Sequence, residues 1–253
     1  VYFVQVDVSA CMGAQNAYLP YTAGILVASA WQSEIVKQNY CFKEFIFLRE
    51  SVDGVVARME NPYIAAFSTY SWSTEYNKLL AKAIKEKYPE CKIVFGGHNV
   101  PDDFSFLEEC DYIDILCHGE GEDTVRTLME ALATDSPLDD VYNISFRSEN
   151  GYKRTETRLQ TTLDYPSPYL EGWFDGLIEQ YPEISFNAIL ETSRGCPFSC
   201  SYCLSSVEKS LRFRDTELVK KELKIFMDAG VAQVKFVDRT FNCKKKHAMD
   251  IWK

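Results

Sequence analysis

Cys196, Cys200 and Cys203 fall within eight residues, in the run Cys196-Pro197-Phe198-Ser199-Cys200-Ser201-Tyr202-Cys203. Thiolates are soft ligands, and three in one loop suit an iron–sulfur cluster or zinc. A structural zinc site takes four ligands, usually as two closely spaced cysteine pairs. No second pair follows, and only the distant Cys243 or a histidine could complete such a set. Three thiolates on a 4Fe–4S cluster leave one iron open, where a substrate or cofactor can bind.

The segments ahead of this loop alternate between strand and helix patterns. Residues 1–6, 45–48, 63–68, 92–95 and 112–116 read as strands. Between them, helices are expected over 19–38, 52–59, 74–88 and 104–109, and another follows over 124–133. Ser73 is a candidate N-cap, and Tyr76, Leu79, Leu80, Ala83 and Ile84 recur at helical spacing. Five strands separated by helices predict an α/β fold with a doubly wound, parallel, Rossmann-like sheet. Such sheets bind ligands beyond the carboxyl ends of their strands. Those ends carry Ser68, Thr69 and Ser71, then Gly96, Gly97 and His98, then Gly119, Glu120, Gly121 and Glu122. Small residues there let a bulky ligand approach the backbone; the alternative is ordinary strand-to-helix turns.

Past residue 135 the texture changes. Residues 141–147 and 152–158 flank Glu149-Asn150-Gly151, a hairpin signal. Asp164-Tyr165-Pro166-Ser167-Pro168 reads as an extended linker. A strand over 186–192 leads into the cysteine loop. Asp215 then caps a helix with a Val219, Leu223, Phe226 stripe, Gly230 stops it, and 234–238 is a further strand before a helix from 244. The expected organisation is a Rossmann-like domain over 1–135, a hairpin and linker over 136–183, and the first βα units of a second domain over 184–253.

Composition excludes several classes. Of 253 residues, 46% are hydrophobic and 25% charged, which excludes wholesale disorder. A net charge of −10 argues against a duplex nucleic-acid binder. The longest apolar stretch, 23–31, is too short to span a bilayer, so a soluble, cytoplasmic protein without membrane partners is expected. Nine cysteines is an odd number in a chain too large to need disulfide staples. The six outside the loop read as small buried hydrophobes.

Glu191-Thr192-Ser193-Arg194-Gly195-Cys196 through Cys203 resembles the signature of the radical S-adenosylmethionine superfamily, with Tyr202 as the aromatic before the last cysteine. The resemblance implies a partial (βα)6 barrel in which Cys196, Cys200 and Cys203 ligate three irons of a 4Fe–4S cluster. S-adenosylmethionine would chelate the fourth iron and be cleaved reductively to a 5′-deoxyadenosyl radical. By position, Tyr202 would contact its adenine, and Asp238, Arg239 and Thr240 its methionine end. The upstream Gly96-Gly97, Gly119-Glu120-Gly121-Glu122 and Leu-Asp-Tyr-Pro-Ser-Pro linker are similar to the cobalamin-binding class of that superfamily. This implies cobalamin held at the three strand ends named above.

One loop departs from the cobalamin pattern that supplies a histidine below cobalt. Residues 7–13 read Asp-Val-Ser-Ala-Cys-Met-Gly, without histidine, so a corrinoid with no histidine ligand from that loop is implied. The function expected from the resemblance is methyl transfer to an unactivated carbon of a small-molecule or peptide substrate, with a flavodoxin or ferredoxin as reductant. Two alternatives stand beside it: a truncated, non-catalytic corrinoid-binding module, or a methylthiotransferase-like enzyme using further cysteines such as Cys11 and Cys41. The first rests on the chain ending two strands into the barrel, which would leave an edge strand unpaired.

Overall fold

The computed structural model describes residues 1–7, 13, 15–203, 205 and 209–253. Cys11 and most of the loop over 7–13 lie outside the described residues. The first unit contains β1 (Tyr2–Val4), β3 (Glu44–Ile46), β4 (Ile64–Ser68), β5 (Lys92–Gly96), β6 (Ile115–Cys117), β7 (Ile144–Ser148) and β8 (Gly151–Arg154). They form one sheet in the order β3-β1-β4-β5-β6-β7-β8. The five strands expected to be parallel are so. The hairpin β7–β8 then adds antiparallel to β6, making seven strands where five were expected.

Strand residues alternate between two cores, as a sheet covered on both faces requires. Phe3, Phe45, Ile64 and Val94 pack on one side, while Tyr2, Val4, Ile46, Ala65, Ile93 and Phe95 pack on the other. The second side is covered by α3 (Val52–Arg58), α4 (Thr74–Lys87) and α5 (Ser105–Glu109), through Val55, Leu80, Ile84 and Leu107. The first is covered by α1 (Tyr21–Ala30), α2 (Glu34–Asn39) and α6 (Glu122–Ala133).

Several local expectations change. The helix expected over 19–38 is two helices, α1 and α2, because Ser33 breaks off to cap α2, its Oγ accepting from the Val36 amide at 3.4 Å. Ser73 precedes α4 but does not cap it; its hydroxyl accepts from the Tyr70 amide instead. Leu79 is 61% exposed, on the outer face of α4, because Leu80 and Ile84 take the inner one. Cys91, Cys110 and Cys117 are buried as expected, whereas Cys41 is exposed.

The second unit is a three-stranded parallel sheet, β12 (Val234–Phe236), β9 (Ser185–Leu190) and β2 (Asn16–Tyr18). Residues 16–18 lie between the strand expected over 1–6 and the helix expected from 19, where no strand is expected. Three residues are too few to show a period, and the hydrogen bonds that make them a strand come from β9, far away in sequence. β9 is therefore flanked on both sides.

α1 follows β2 directly and lies between the two units. Eight of its ten residues are buried, so it is apolar nearly all round. One core runs from Phe3 and Ile25 past Phe174 to Leu190, Val219 and Phe226. A short α7 (Asp175–Gln180) interrupts the linker. Beyond the cysteine loop, α8 (Thr216–Asp228) starts at Asp215, whose carboxylate accepts from the Glu217 and Leu218 amides at 2.9 Å each. Val219 and Phe226 face the core as expected, and α9 (Lys245–Trp252) packs against α8.

Candidate functional site

The cysteine loop is closed at its neck by an antiparallel ribbon, β10 (Ser193–Arg194) with β11 (Arg212–Phe213). Gly195 enters the loop at φ +93°, and a Cβ there would lie 2.3 Å from the Ser210 carbonyl oxygen, so only glycine fits. Cys196 is buried, Cys203 half-buried and Cys200 exposed. Cys196 Sγ lies 3.4 Å from Thr240 Oγ1. That hydroxyl, then the Phe198 amide, holds the thiol below its ordinary range and favours the thiolate. The Lys209 ammonium donates to the Phe198 carbonyl and to Ser199 Oγ, tying down the loop's return. Among the described residues, no three His, Cys, Asp or Glu side chains gather around a single-ion site. A 4Fe–4S cluster binds each thiolate at a different iron, so its thiolates stand farther apart than the ligands of one ion.

The other residues expected to bind S-adenosylmethionine have different surroundings. The Tyr202 ring is 92% exposed beside Cys203. Asp238 points back into the fold, where its carboxylate accepts from the Thr192 amide, Thr192 Oγ1 and Ser193 Oγ at 3.1, 2.6 and 2.5 Å. It thereby locks the end of β12 to the exit of β9. Arg239 is exposed.

At the carboxyl ends of the first sheet, Gly97 adopts φ +106°. A Cβ there would lie 2.7 Å from the Thr69 carbonyl oxygen, so the β4 and β5 ends approach as closely as backbones can. Ser68 and Thr69 are buried, and Ser68 Oγ lacks a hydrogen-bond partner. Ser71 and His98 are exposed. The Tyr70 and Trp72 rings stack with centroids 4.7 Å apart, and His98 lies 5.8 Å from Tyr70. The His98 imidazole is held below its ordinary value by desolvation, then by the charges of Arg239 and Arg194.

Gly119-Glu120-Gly121-Glu122, after β6, meets the neck of the cysteine loop. Glu120 accepts both forks of Arg212 at 2.7 Å each and Arg194 at 3.2 Å, while Glu122 accepts Arg194 at 2.8 Å. Glu191 also binds Arg194, at 2.7 Å, and accepts from the Tyr165 hydroxyl at 2.7 Å. Burial opposes the charge on Glu120, but Arg212 and Arg194 outweigh it and hold the carboxyl below its ordinary value. Arg194, Arg212, Glu191 and Tyr165 had no assigned role in the sequence reading. The available signal was an arginine just before the cysteines and a Glu-x-Glu three strands upstream.

No protein-family model matches the chain. It is 35% identical to the cobalamin-dependent radical SAM methyltransferase TokK of Streptomyces tokunonensis, over 95% of this chain and 36% of that protein. The 2-(S-pantetheinyl)-carbapenam-3-carboxylate methyltransferase of Streptantibioticus cattleyicolor is 34% identical, over 88% of this chain and 34% of its own length. Along nearly its whole length the chain is similar to cobalamin-dependent radical S-adenosylmethionine enzymes. It spans about a third of the length of these two enzymes. Among solved structures, the cobalamin-dependent S-adenosylmethionine radical enzyme OxsB, with aqua-cobalamin and S-adenosylmethionine bound, matches with a TM-score of 0.74 at 22% identity. The match covers 99% of this chain and 36% of OxsB. The radical S-adenosylmethionine methyltransferase TsrM of Kitasatospora setae matches with 0.68 at 15% identity, over 99% of this chain and 50% of TsrM. These likenesses show that the α/β architecture is the family's fold.

Proposed function

We propose that this chain forms the corrinoid- and cluster-bearing part of an enzyme that methylates an unactivated carbon of a small-molecule or peptide substrate. The observation that carries this reading is the meeting of the glycine-rich turn after β6 of the first sheet with the neck of the three-cysteine loop that follows β9 of the second. In this reading Cys196, Cys200 and Cys203 hold a 4Fe–4S cluster, and Tyr202, Arg239 and Thr240 contact S-adenosylmethionine. Ser68, Thr69, Ser71, Gly96, Gly97, His98, Gly119 and Gly121 line the corrinoid side, while Glu120 and Glu122 between them are engaged by Arg194 and Arg212. The chemistry of the donor set fits: three thiols in one loop, with the innermost already biased toward thiolate. When bound, the three groups supply a carbon-centred radical from S-adenosylmethionine and a methyl group for transfer, driven by a one-electron reductant such as a flavodoxin or ferredoxin.

This chain's residues orient and shield. Thr240 supports the Cys196 sulfur, and Asp238 holds the strand ends on which both stand. The close approach of Gly97 to Thr69 keeps side-chain bulk out of the sheet end, leaving backbone for a large flat ligand to rest on. The names of TokK and the carbapenam methyltransferase support methyl transfer as the reaction class.

Reconstitution without oxygen, using iron, sulfide and cobalamin, tests the reading. The protein is expected to retain iron, inorganic sulfide and corrinoid after gel filtration, and Cys200→Ala is expected to lose the iron while keeping the corrinoid. Retention of zinc alone, or of no corrinoid, would sink the proposal.

A further inference from the structure

Arg194 stands two residues before Cys196 and reaches three carboxylates: Glu191 at 2.7 Å, Glu122 at 2.8 Å and Glu120 at 3.2 Å. Glu120 and Glu122 belong to the turn after β6 in the first sheet, while Glu191 belongs to the exit of β9 in the second. A guanidinium presents its donors in a flat, rigid fork and can hold several carboxylates at fixed angles, which an ammonium cannot.

Arg194 is also paired with Arg212 directly across the β10–β11 ribbon. Like charges opposite one another in a ribbon repel, so the pair is unfavourable by itself. Glu120 lies between them and accepts from both. Arg212 is nearly buried, and withdrawing such a charge from water makes an ion pair a weak contributor to net stability. What the arrangement does provide is geometry: two arginines at the neck of the cysteine loop grip one turn of the opposite sheet. The grip is reinforced next door, where Tyr165 donates to Glu191, and Tyr21, at the start of α1, shares a 3.3 Å hydroxyl contact with Tyr165.

We infer that Arg194 is a positioning residue that sets the distance and angle between the cysteine loop and the Gly119–Glu122 turn. Through them it sets the spacing of the cluster and the corrinoid, and to that extent the inference rests on the proposed function. Radical formation and methyl delivery must reach the same carbon, and a misplacement of about 1 Å can cost about a hundredfold in rate. On this account Glu120 and Glu122 serve the joint and do not contact the corrinoid.

The test is magnetic. A reduced 4Fe–4S cluster and cob(II)alamin each carry an unpaired spin, and their dipolar interaction falls with the cube of their separation. The protein loaded with both groups is compared with Arg194→Lys, Arg194→Gln and Glu122→Gln by electron paramagnetic resonance, with iron and corrinoid contents measured on the same samples. The parent is expected to show one resolved interaction, and each variant a broadened or lost one at unchanged corrinoid content. Arg194→Lys keeps the charge without the fork and is not expected to restore the spectrum. Glu122→Gln leaves the cysteine loop untouched, so it decides the matter even if an Arg194 variant fails to fold. An unchanged interaction in Glu122→Gln or Arg194→Lys overturns the inference, as does the absence of any interaction in a fully loaded parent. Loss of corrinoid from Glu122→Gln would make that carboxylate a ligand contact and overturn it too. In all these cases the proposed function stands, whereas a parent that loads neither group overturns both.

Discussion

Arg214 and Glu222 form a pair whose side chains are wholly buried, joined by two hydrogen bonds of 2.8 and 3.0 Å. The guanidinium also donates to the Glu191 carbonyl and lies 4.7 Å from the centre of the Tyr165 ring. Glu222→Leu would strand the charge, and a loss of about 3–5 kcal/mol is expected in urea unfolding. The double variant Arg214→Met, Glu222→Leu removes both charges and is expected to recover much of that loss. The chain's three histidines share a sign. His98, His118 and His247 are all held below their ordinary value, chiefly by desolvation, and His118 falls to about 4 where it meets Ser145 at 2.8 Å. A histidine whose folded value is lowered binds its proton more readily unfolded. Its neutral form supports the fold fully above 6.5, and that support is lost as pH falls toward 4. His118 alone should cost on the order of 1 kcal/mol by about pH 5.5. His118→Gln should flatten the fall in urea midpoint between neutral pH and that point; an equally steep fall in this variant would contradict the assignment.

At the scale of elements, boundaries follow from side-chain chemistry where the partners are local. Asp215 accepts from two amides in the first turn of α8, and Asp215→Ala should cost about 0.5–2 kcal/mol, read as a lowered melting temperature. Because α8 follows the cysteine loop's return strand directly and holds Arg214 between them through Glu222, the same variant should also bind iron less tightly on reconstitution. Ser33 interrupts the helix expected over 19–38, and Ser73 turns its hydroxyl to Tyr70. Ser73 is a cap candidate in the sequence, whereas Ser33 falls inside the helix expected over 19–38. Which backbone amide each would satisfy depended on the conformation of the turn, which composition does not encode. β2 was not legible at all, since its strand character comes from pairing with β9.

On the whole-molecule scale, α1 and β2 join the two sheets. Buried residues of the first sheet, α1, the linker and the second sheet form one continuous apolar core. A joint of this kind predicts one cooperative unfolding transition. Far-ultraviolet dichroism and tryptophan fluorescence should give coincident urea curves, the latter reporting through Trp31 and Trp173 at the junction. Two separated transitions would show the units to be independently stable. Among the described residues no helix is long and apolar enough to cross a membrane.

By itself, the sequence determined the alternation of five parallel strands with helices, the glycines at their ends, and three thiols at a spacing suited to a cluster. These are short-range properties, set by periodicity, by backbone sterics at glycine, and by ligand spacing within one loop. Only the tertiary structure decided that a three-residue loop segment would become a strand of the second sheet. It also decided that Asp238 would turn inward, and that Glu120 and Glu122 would meet Arg194 and Arg212. Those outcomes depend on hydrogen bonds and charges brought together from residues about 45 to 170 positions apart, and no local pattern in a chain records which distant partner will arrive.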